Sequence, residues 1–306
     1  ATARLREIIG RIRDAADPER DMAALEPALR QARDGWRDVR RLLVSPFVRE
    51  GRLGPAIAAL GVLIAVHPSR AEDRRLLASL FGRMEQWDRA VAEADAAADI
   101  EPGNAALHAG RIQLRVQAGR VAEAAEVARA TLALARNEPG EAYAWMMAFV
   151  RNGDAAEAAG IAASLDPAAL PNERVATMAV RALMEDGRIA AAIQLGDAAL
   201  RAGHDCAALR SSLGLSHLRR GTEEDRKVHA AAHFEAGLGM APEDVRLLTL
   251  YGETLLRAGR YQEAVGPLAR VIELAPELEQ TRALYARALR HTLQYGDAAD
   301  QWMRLV

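Results

Sequence analysis

The stretch VRLLTLYGETLLRAGRYQEAVGPLARVIELAP, Val245 to Pro276, decides the fold. Leu248, Tyr251 and Leu255 recur three and four residues apart before Gly259; Ala264 and Leu268 follow it, and Pro276 closes the stretch. That period describes two helices, each with one buried stripe. The glycine between them suits a left-handed turn, and the proline cannot continue the second helix.

The same punctuation extends in both directions. Blocks starting at Arg37, Ala71, Ala105, Pro139, Glu173 and Ala207 follow at a spacing of 34 residues. Four extra residues then intervene near 222–228, within TEEDRKVH, and blocks resume at Val245 and Glu279. The spacing predicts eight units over 37–306, the last one truncated. The twentieth residue of each unit is alanine: Ala56, Ala90, Ala124, Ala158, Ala192, Ala230, Ala264 and Ala298. Roughly a fifth of the chain is alanine, so chance does not produce that run. The fifteenth residue is Gly51, Gly119, Gly153, Gly187, Gly221 or Gly259, with Glu85 and Leu293 as the exceptions. Pro68, Pro102, Pro242 and Pro276 hold the thirty-second position in half of the units.

A methyl-sized side chain at the twentieth position lets paired helices approach closely. Each helix–turn–helix unit buries one face against its neighbour, and such units stack into a solenoid.

On these residues the chain resembles the tetratricopeptide repeat family, in which large apolar residues sit at positions four, seven and eleven and small ones at eight and twenty. Val245–Pro276 fits nearly throughout, with Gly252 at the eighth position; residues 71–102 fit through Leu77, Ala78, Phe81, Trp87, Ala90 and Pro102. The unit at Ala105 departs, because Arg111, Ile112 and Arg115 fill positions expected to be apolar, small and apolar. A local shift of one residue, turning Leu107 and Leu114 inward, would account for that. The resemblance covers 37–306 and implies an all-α, right-handed α-solenoid from a bacterial protein that binds other proteins. Residues 1–36 read as a divergent helical capping hairpin: stretches Leu5–Ala15 and Glu19–Arg33 are separated by Asp17-Pro18, and Pro27 bends or restarts the second.

Composition narrows the function. The 306 residues carry 40 Lys+Arg against 42 Asp+Glu, a formal charge of −2, which argues against nucleic-acid binding. Lys227 is the one lysine, and such Arg-for-Lys usage with abundant alanine fits a high-GC bacterial genome. A single cysteine, Cys206, rules out a disulfide framework. The longest apolar run, Ala56–Val66, is too short to cross a bilayer, so membrane insertion is not expected. A cytoplasmic protein is the expectation, with a cleaved periplasmic form as the alternative.

The resemblance implies that first helices line a concave groove, where positions two, five, nine, twelve and thirteen share one face. Those positions hold Arg41, Arg49, Arg75, Arg83, Arg151, Arg174, Arg181, Arg219, Arg246, Arg257, Arg287 and Arg290, against four acids: Asp38, Glu72, Glu185 and Glu253. Position thirteen is a helix C-terminus, where arginine is favoured anyway; that explains Arg49, Arg83, Arg151, Arg219 and Arg257 and leaves seven. Tyr143, Met147, Val150, Thr177, Met178 and Met184 fall on or beside the same face. An apolar patch ringed by guanidinium groups predicts a protein or peptide partner of acidic or mixed acidic and apolar character. The family's carboxylate clamp is absent, since Arg41, Leu42 and Ser45, then Arg75, Leu76 and Ser79, occupy its sites. Its asparagine ladder is absent as well.

No phosphate-cradling loop, nucleophile elbow or HExxH motif is present, and no cofactor is expected. His229 and His233, at i and i+4, could chelate a metal as a lesser reading; His217 sits inward at an eleventh position, as a packed imidazole would. The last helix, from about Gly296 to Val306, presents Trp302, Leu305 and Val306, a face for a second copy or a further domain. The primary reading is a non-catalytic scaffold. The alternative is a partner- or substrate-presenting arm of a larger enzyme, such as a glycosyltransferase or sulfotransferase, with its catalytic part beyond residue 306.

Overall fold

The computed structural model describes residues 1–305 apart from Arg33 and Ala168, and gives Arg226 and Lys227 by backbone alone. Val306 and Arg33, at the ends of two predicted helices, lie outside the described residues. Helices are joined by short turns, and no strand occurs among the described residues. The chain forms two compact units, one spanning Ala1–Ala135 and one beginning at Arg136.

In the first unit, Thr2–Asp14 turns Leu5, Ile8, Ile9 and Ile12 inward, and Leu25–Gln31 adds Leu25 and Leu29. These share one core with Val39, Leu43, Phe47, Leu60, Leu63, Leu77 and Phe81. The expected Glu19–Arg33 helix is broken into Pro18–Asp21, the 3₁₀ turn Met22–Ala24, and Leu25–Gln31. Pro27 falls in the first turn of the last piece, where no N–H bond is required. Gly35–Val39 and Ser45–Arg49 are joined through a π turn, Arg40–Val44. Pro46, the second residue of the next helix, has no N–H to donate to the carbonyl four residues back, and a wider turn suits a proline at that place. Three hairpins come next: Ser45–Arg49 with Leu53–Val66, Ala71–Arg83 with Trp87–Ile100, and Ala105–Gln117 with Val121–Ala130.

The second unit runs through Ala142–Asn152 with Ala155–Ser164, Glu173–Glu185 with Ile189–Arg201, Ala207–Arg220 with Ala230–Met240, Val245–Arg257 with Tyr261–Leu274, and Glu279–His291 with Tyr295–Met303. Both units are thus stacks of antiparallel helix pairs, the solenoid construction read from the repeat.

The local rules hold in detail. Ala56, Ala90, Ala124, Ala158, Ala192, Ala230 and Ala264 are 0% exposed and Ala298 is 4% exposed. At the eighth position, a Cβ on Gly214 would stand 2.6 Å from Phe234, and one on Gly252 would stand 2.6 Å from Leu268. The missing side chain therefore seats the large residue of the facing helix. All six glycines at the fifteenth position have positive φ, between 74° and 87°, and the two exceptions do too: Glu85 at 58° and Leu293 at 63°. The turn imposes the left-handed conformation even where the side chain resists it. The residues before Pro68, Pro102, Pro242 and Pro276 share one non-helical conformation, with φ of −131°, −130°, −136° and −142° and ψ between 69° and 74°, since a following proline disfavours the helical region. Four first helices are capped by the residue preceding the unit: Asn104, Asn172, Cys206 and Asp244 accept backbone N–H groups of the first turn.

Two expectations are corrected. The helix Ala105–Gln117 needs no one-residue shift, because it starts on the unit's first residue. His108, Ile112 and Arg115 are buried at the fourth, eighth and eleventh positions, and Leu107 is buried and Leu114 packs half-buried against the core, so both leucines face inward without a change of register. Arg111 and Arg115 are compensated by Asp95 on the preceding helix, at 2.6 Å and 2.8 Å. Burial opposes ionisation of Asp95, yet the two guanidinium groups outweigh it and hold its carboxyl below the usual range. The second correction concerns the four extra residues, which do not lengthen the turn. The second helix begins at Glu223 and passes through a π turn, Asp225–His229, before continuing as Ala230–Met240.

Candidate functional site

All twelve arginines at the first-helix face positions are exposed. Their partners divide them. Arg41 meets Asp38 at 3.4 Å, Arg75 grips Glu72 through two bonds of 2.6 and 2.7 Å, Arg257 meets Glu253 at 2.6 Å, and Arg219 lies 3.6 Å from Glu185. Each of the four acids is thus matched by one arginine of the set. Arg219 Nη1 also donates to the Met184 carbonyl oxygen at 2.9 Å, tying one hairpin to the end of the preceding first helix. The Arg49 Nε donates to the Ser45 carbonyl oxygen, and the Arg174 guanidinium lies 4.4 Å from the centre of the Tyr143 ring. For Arg83, Arg151, Arg181, Arg246, Arg287 and Arg290 no ion pair or hydrogen bond is found among the described residues. Five of those six belong to the second unit.

The apolar residues separate similarly. Tyr143, Met147 and Thr177 are half-buried, and Thr177 Oγ1 lies 3.8 Å from Cys206 Sγ. Met178 and Met184 are only 8% and 5% exposed, so they support the face from beneath and are not part of it.

His229 and His233 do not converge as ligands. Both stack on His217, with ring centroids 5.0 and 5.3 Å away and planes 26° and 21° apart. Among the described residues no three His, Cys, Asp or Glu side chains are grouped so as to hold a metal. His217 Nδ1 pairs with Asp225 Oδ1 at 2.7 Å, and Asp225 is fully buried. Arg220 grips the same carboxylate and Thr222 donates its hydroxyl to it, while the Asp225 N–H donates to Thr222 Oγ1 at 3.1 Å. The Arg220 bond, with those of Thr222 and His217, overcomes burial and holds the Asp225 carboxyl far below the usual range. His233 is pushed down to about 4 by burial, then by His217 and by Arg210, whose Nη1 lies 3.4 Å from its Nδ1. A neutral His233 accepts that bond, and a protonated one would face a cation. The spacing of the histidines is legible in the sequence; the signal for their organiser is Thr222-x-x-Asp225, a capping-box pattern that opens the extended helix.

A second feature carries no family signature. In the first unit a cleft of about 470 Å³ opens between Ala71–Arg83 and Ala105–Gln117. Arg83, Trp87, Ser79, Gln113 and Gln117 stand around it, with Leu114 among its lining residues. The face positions nine and thirteen of neighbouring units supply Ser79, Arg83, Gln113 and Gln117; the exchange of arginine for glutamine in the unit at Ala105 is the trace it leaves in the sequence.

In the last hairpin Leu293, Tyr295, Trp302 and Met303 are 71%, 61%, 46% and 66% exposed, and Leu305 is half-buried. No helix among the described residues is long and apolar enough to cross a membrane.

Comparison with known proteins agrees with this architecture. The chain is 32% identical over 275 residues to the Vi polysaccharide export protein VexE of Salmonella typhi, a match covering 90% of this chain and 42% of that protein. It therefore spans less than half the length of that curated relative. A tetratricopeptide repeat protein from Parabacteroides merdae superposes with a TM-score of 0.55 at 14% identity, covering 80% of this chain and 96% of the other. A chain of the APC/C hetero-tetramer Cut9–Hcn1 superposes with a TM-score of 0.56, also at 14% identity, over 94% of this chain and 55% of the other. At such identities the likeness concerns the fold. The sequence model of the tetratricopeptide repeat matches residues 75–142, 177–225 and 229–279, more than half of the chain. The chain belongs to the tetratricopeptide repeat family.

Proposed function

We propose that the protein is a non-catalytic scaffold that captures an acidic, partly apolar protein segment on the first-helix face of its second unit. The observation that carries this reading is the set Arg151, Arg181, Arg246, Arg287 and Arg290, exposed on that face with no acidic partner among the described residues. Guanidinium groups uncommitted within the protein keep their forked donors for carboxylates of a ligand. Tyr143, Met147 and Thr177 supply half-buried surface on the same helices for the apolar part of the segment. The eight units of 37–306 serve as the frame, preceded by a capping segment in 1–36, and the site is cytoplasmic. A fluorescent peptide alternating glutamate and leucine provides the test. Reversing Arg174, Arg181 and Arg246 together should weaken its binding at least tenfold and flatten the dependence on salt. Unchanged affinity and salt slope would remove the reading.

The length relation supports a second reading. A chain that aligns with 42% of a polysaccharide export protein fits a role as the partner-presenting arm of a larger export machine. Co-purification of the full native gene product with its export partners, lost on deleting residues 37–306, would favour this arm.

A further inference from the structure

We infer that the cleft of the first unit is a binding site for an acidic sugar residue, a uronate, distinct in place and ligand from the peptide-binding face proposed for the second unit. Its volume, about 470 Å³, lies in the range of small-ligand pockets. Four polar groups around it, Ser79, Arg83, Gln113 and Gln117, have no hydrogen bond or ion pair among the described residues. Nearby guanidinium groups are already committed: Arg75 to Glu72 and Arg111 to Asp95. The cleft thus offers one uncommitted cation and three neutral groups.

The kinds of group decide the ligand. A carboxylate or phosphate only accepts hydrogen bonds, so a site built for acidic side chains alone would be lined by donors. Hydroxyl and amide groups both donate and accept. Gln113 and Gln117 are one helical turn apart on one face, roughly 5–6 Å between their Cβ atoms, a spacing suited to hydroxyls on one sugar ring or on adjacent rings. Trp87 offers an indole surface against which the C–H face of such a ring packs. Arg83 supplies the forked donor for a single carboxylate. A polyhydroxylated ring bearing one carboxylate satisfies all five side chains.

Two glycines shape the space. A Cβ on Gly82 would stand 2.9 Å from Leu114 Cδ2, so the glycine lets Leu114 seat beneath the cleft. Gly110 also lines the cleft, and a Cβ there would meet nothing within 4 Å. A leucine at that position starts from a Cβ with open space around it and extends into the cleft, and it raises helix propensity.

The experiment is calorimetric titration of the 306-residue chain with tetragalacturonate, with maltotetraose and a glutamate hexapeptide as comparison ligands. Tetragalacturonate is expected to bind, the other two at least tenfold more weakly. Gly110→Leu should abolish binding with a melting temperature no lower than that of the unaltered chain; Arg83→Gln and the double change Gln113→Ala, Gln117→Ala should each weaken it at least tenfold. No heat from tetragalacturonate at millimolar concentration would overturn the inference. So would binding indifferent to Gly110→Leu and to the glutamine pair, or equal binding of maltotetraose or of the hexapeptide. The second-unit reversal Arg174, Arg181 and Arg246 should leave uronate binding intact, and Gly110→Leu should leave capture of the Glu–Leu peptide intact, so each proposal fails separately.

Discussion

The hairpins Ala71–Arg83/Trp87–Ile100 and Ala207–Arg220/Ala230–Met240 solve one problem in two ways. In the first, three turn residues separate the helices and the turn is forced through Glu85 at a φ of 58°. In the second, Gly221 makes the turn and an extra stretch, capped by Thr222, precedes the regular helix. Yet Ala90 and Ala230 are both 0% exposed. Four inserted residues overshoot one 3.6-residue turn by about 40°, and the wider π turn Asp225–His229 absorbs the excess, which returns Ala230 to the facing helix. The close contact is kept while the path leading to it varies. The cost of the variation is a buried carboxylate, and the molecule surrounds it with Arg220, Thr222 and His217.

The largest expected effect breaks that organiser. Asp225→Ala leaves His217 and Arg220 without their shared acceptor; because Arg220 is half exposed, the loss should fall at about 3 kcal/mol, the low end for a broken buried pair. Denaturant titration reads it. Asp73→Ala in the regular hairpin also removes a fully buried carboxylate, one paired with Arg70 at 2.7 Å, but it closes no inserted turn and should leave the helix pairing intact by circular dichroism.

The next effect depends on pH. His233 is held neutral down to about 4, below an unfolded imidazole near 6.5. The unfolded chain therefore binds more protons between those values, and stability rises with pH across that window and is complete above it. The groups facing the cluster are Asp225, Arg220 and Glu224 beside His217 and His229, and Arg210, Asp205 and Asp197 toward His233. Thermal melts from about pH 6.5 to about pH 4 should show falling stability, with a shallower slope in His233→Gln. Equal slopes would mean that the stacked imidazoles do not couple to folding.

The smallest effect reverses the usual sign. A glycine placed in a helical protein normally destabilises, but Glu85→Gly should stabilise by about 0.5–1 kcal/mol, since only the present side chain opposes the left-handed turn. Leu293→Gly should do the same, and Gly221→Ala should lose a similar amount.

Much of this was legible in the sequence because it rests on contacts that recur. The alanine at the twentieth position is buried in every unit, and the glycine at the fifteenth makes the same left-handed turn in six, so composition at one spacing reports packing. The positive φ of Glu85 and Leu293 was not legible, since their side chains argue against it and the turn overrides them. Arg111 and Arg115 misread as a register shift because Asp95, which neutralises them, lies on another hairpin. Met184 occupies a face position in register, yet it is buried, whereas Arg290 at the same twelfth position is exposed, so the register alone does not decide burial there. The Ser79–Gln117 cleft left only a change from arginine to glutamine, which gains meaning once two helices are set side by side.

The central claim is that the methyl group at the twentieth position sets the approach of every helix pair, whatever path leads to it. Denaturant stability of Ala90→Leu and Ala230→Leu, measured beside Ala92→Leu and Ala232→Leu at exposed positions of the same helices, tests it most directly. The account predicts a loss of about 1–3 kcal/mol at both buried sites and changes within about 0.5 kcal/mol at both exposed ones. Leucine tolerated equally at all four positions would contradict it.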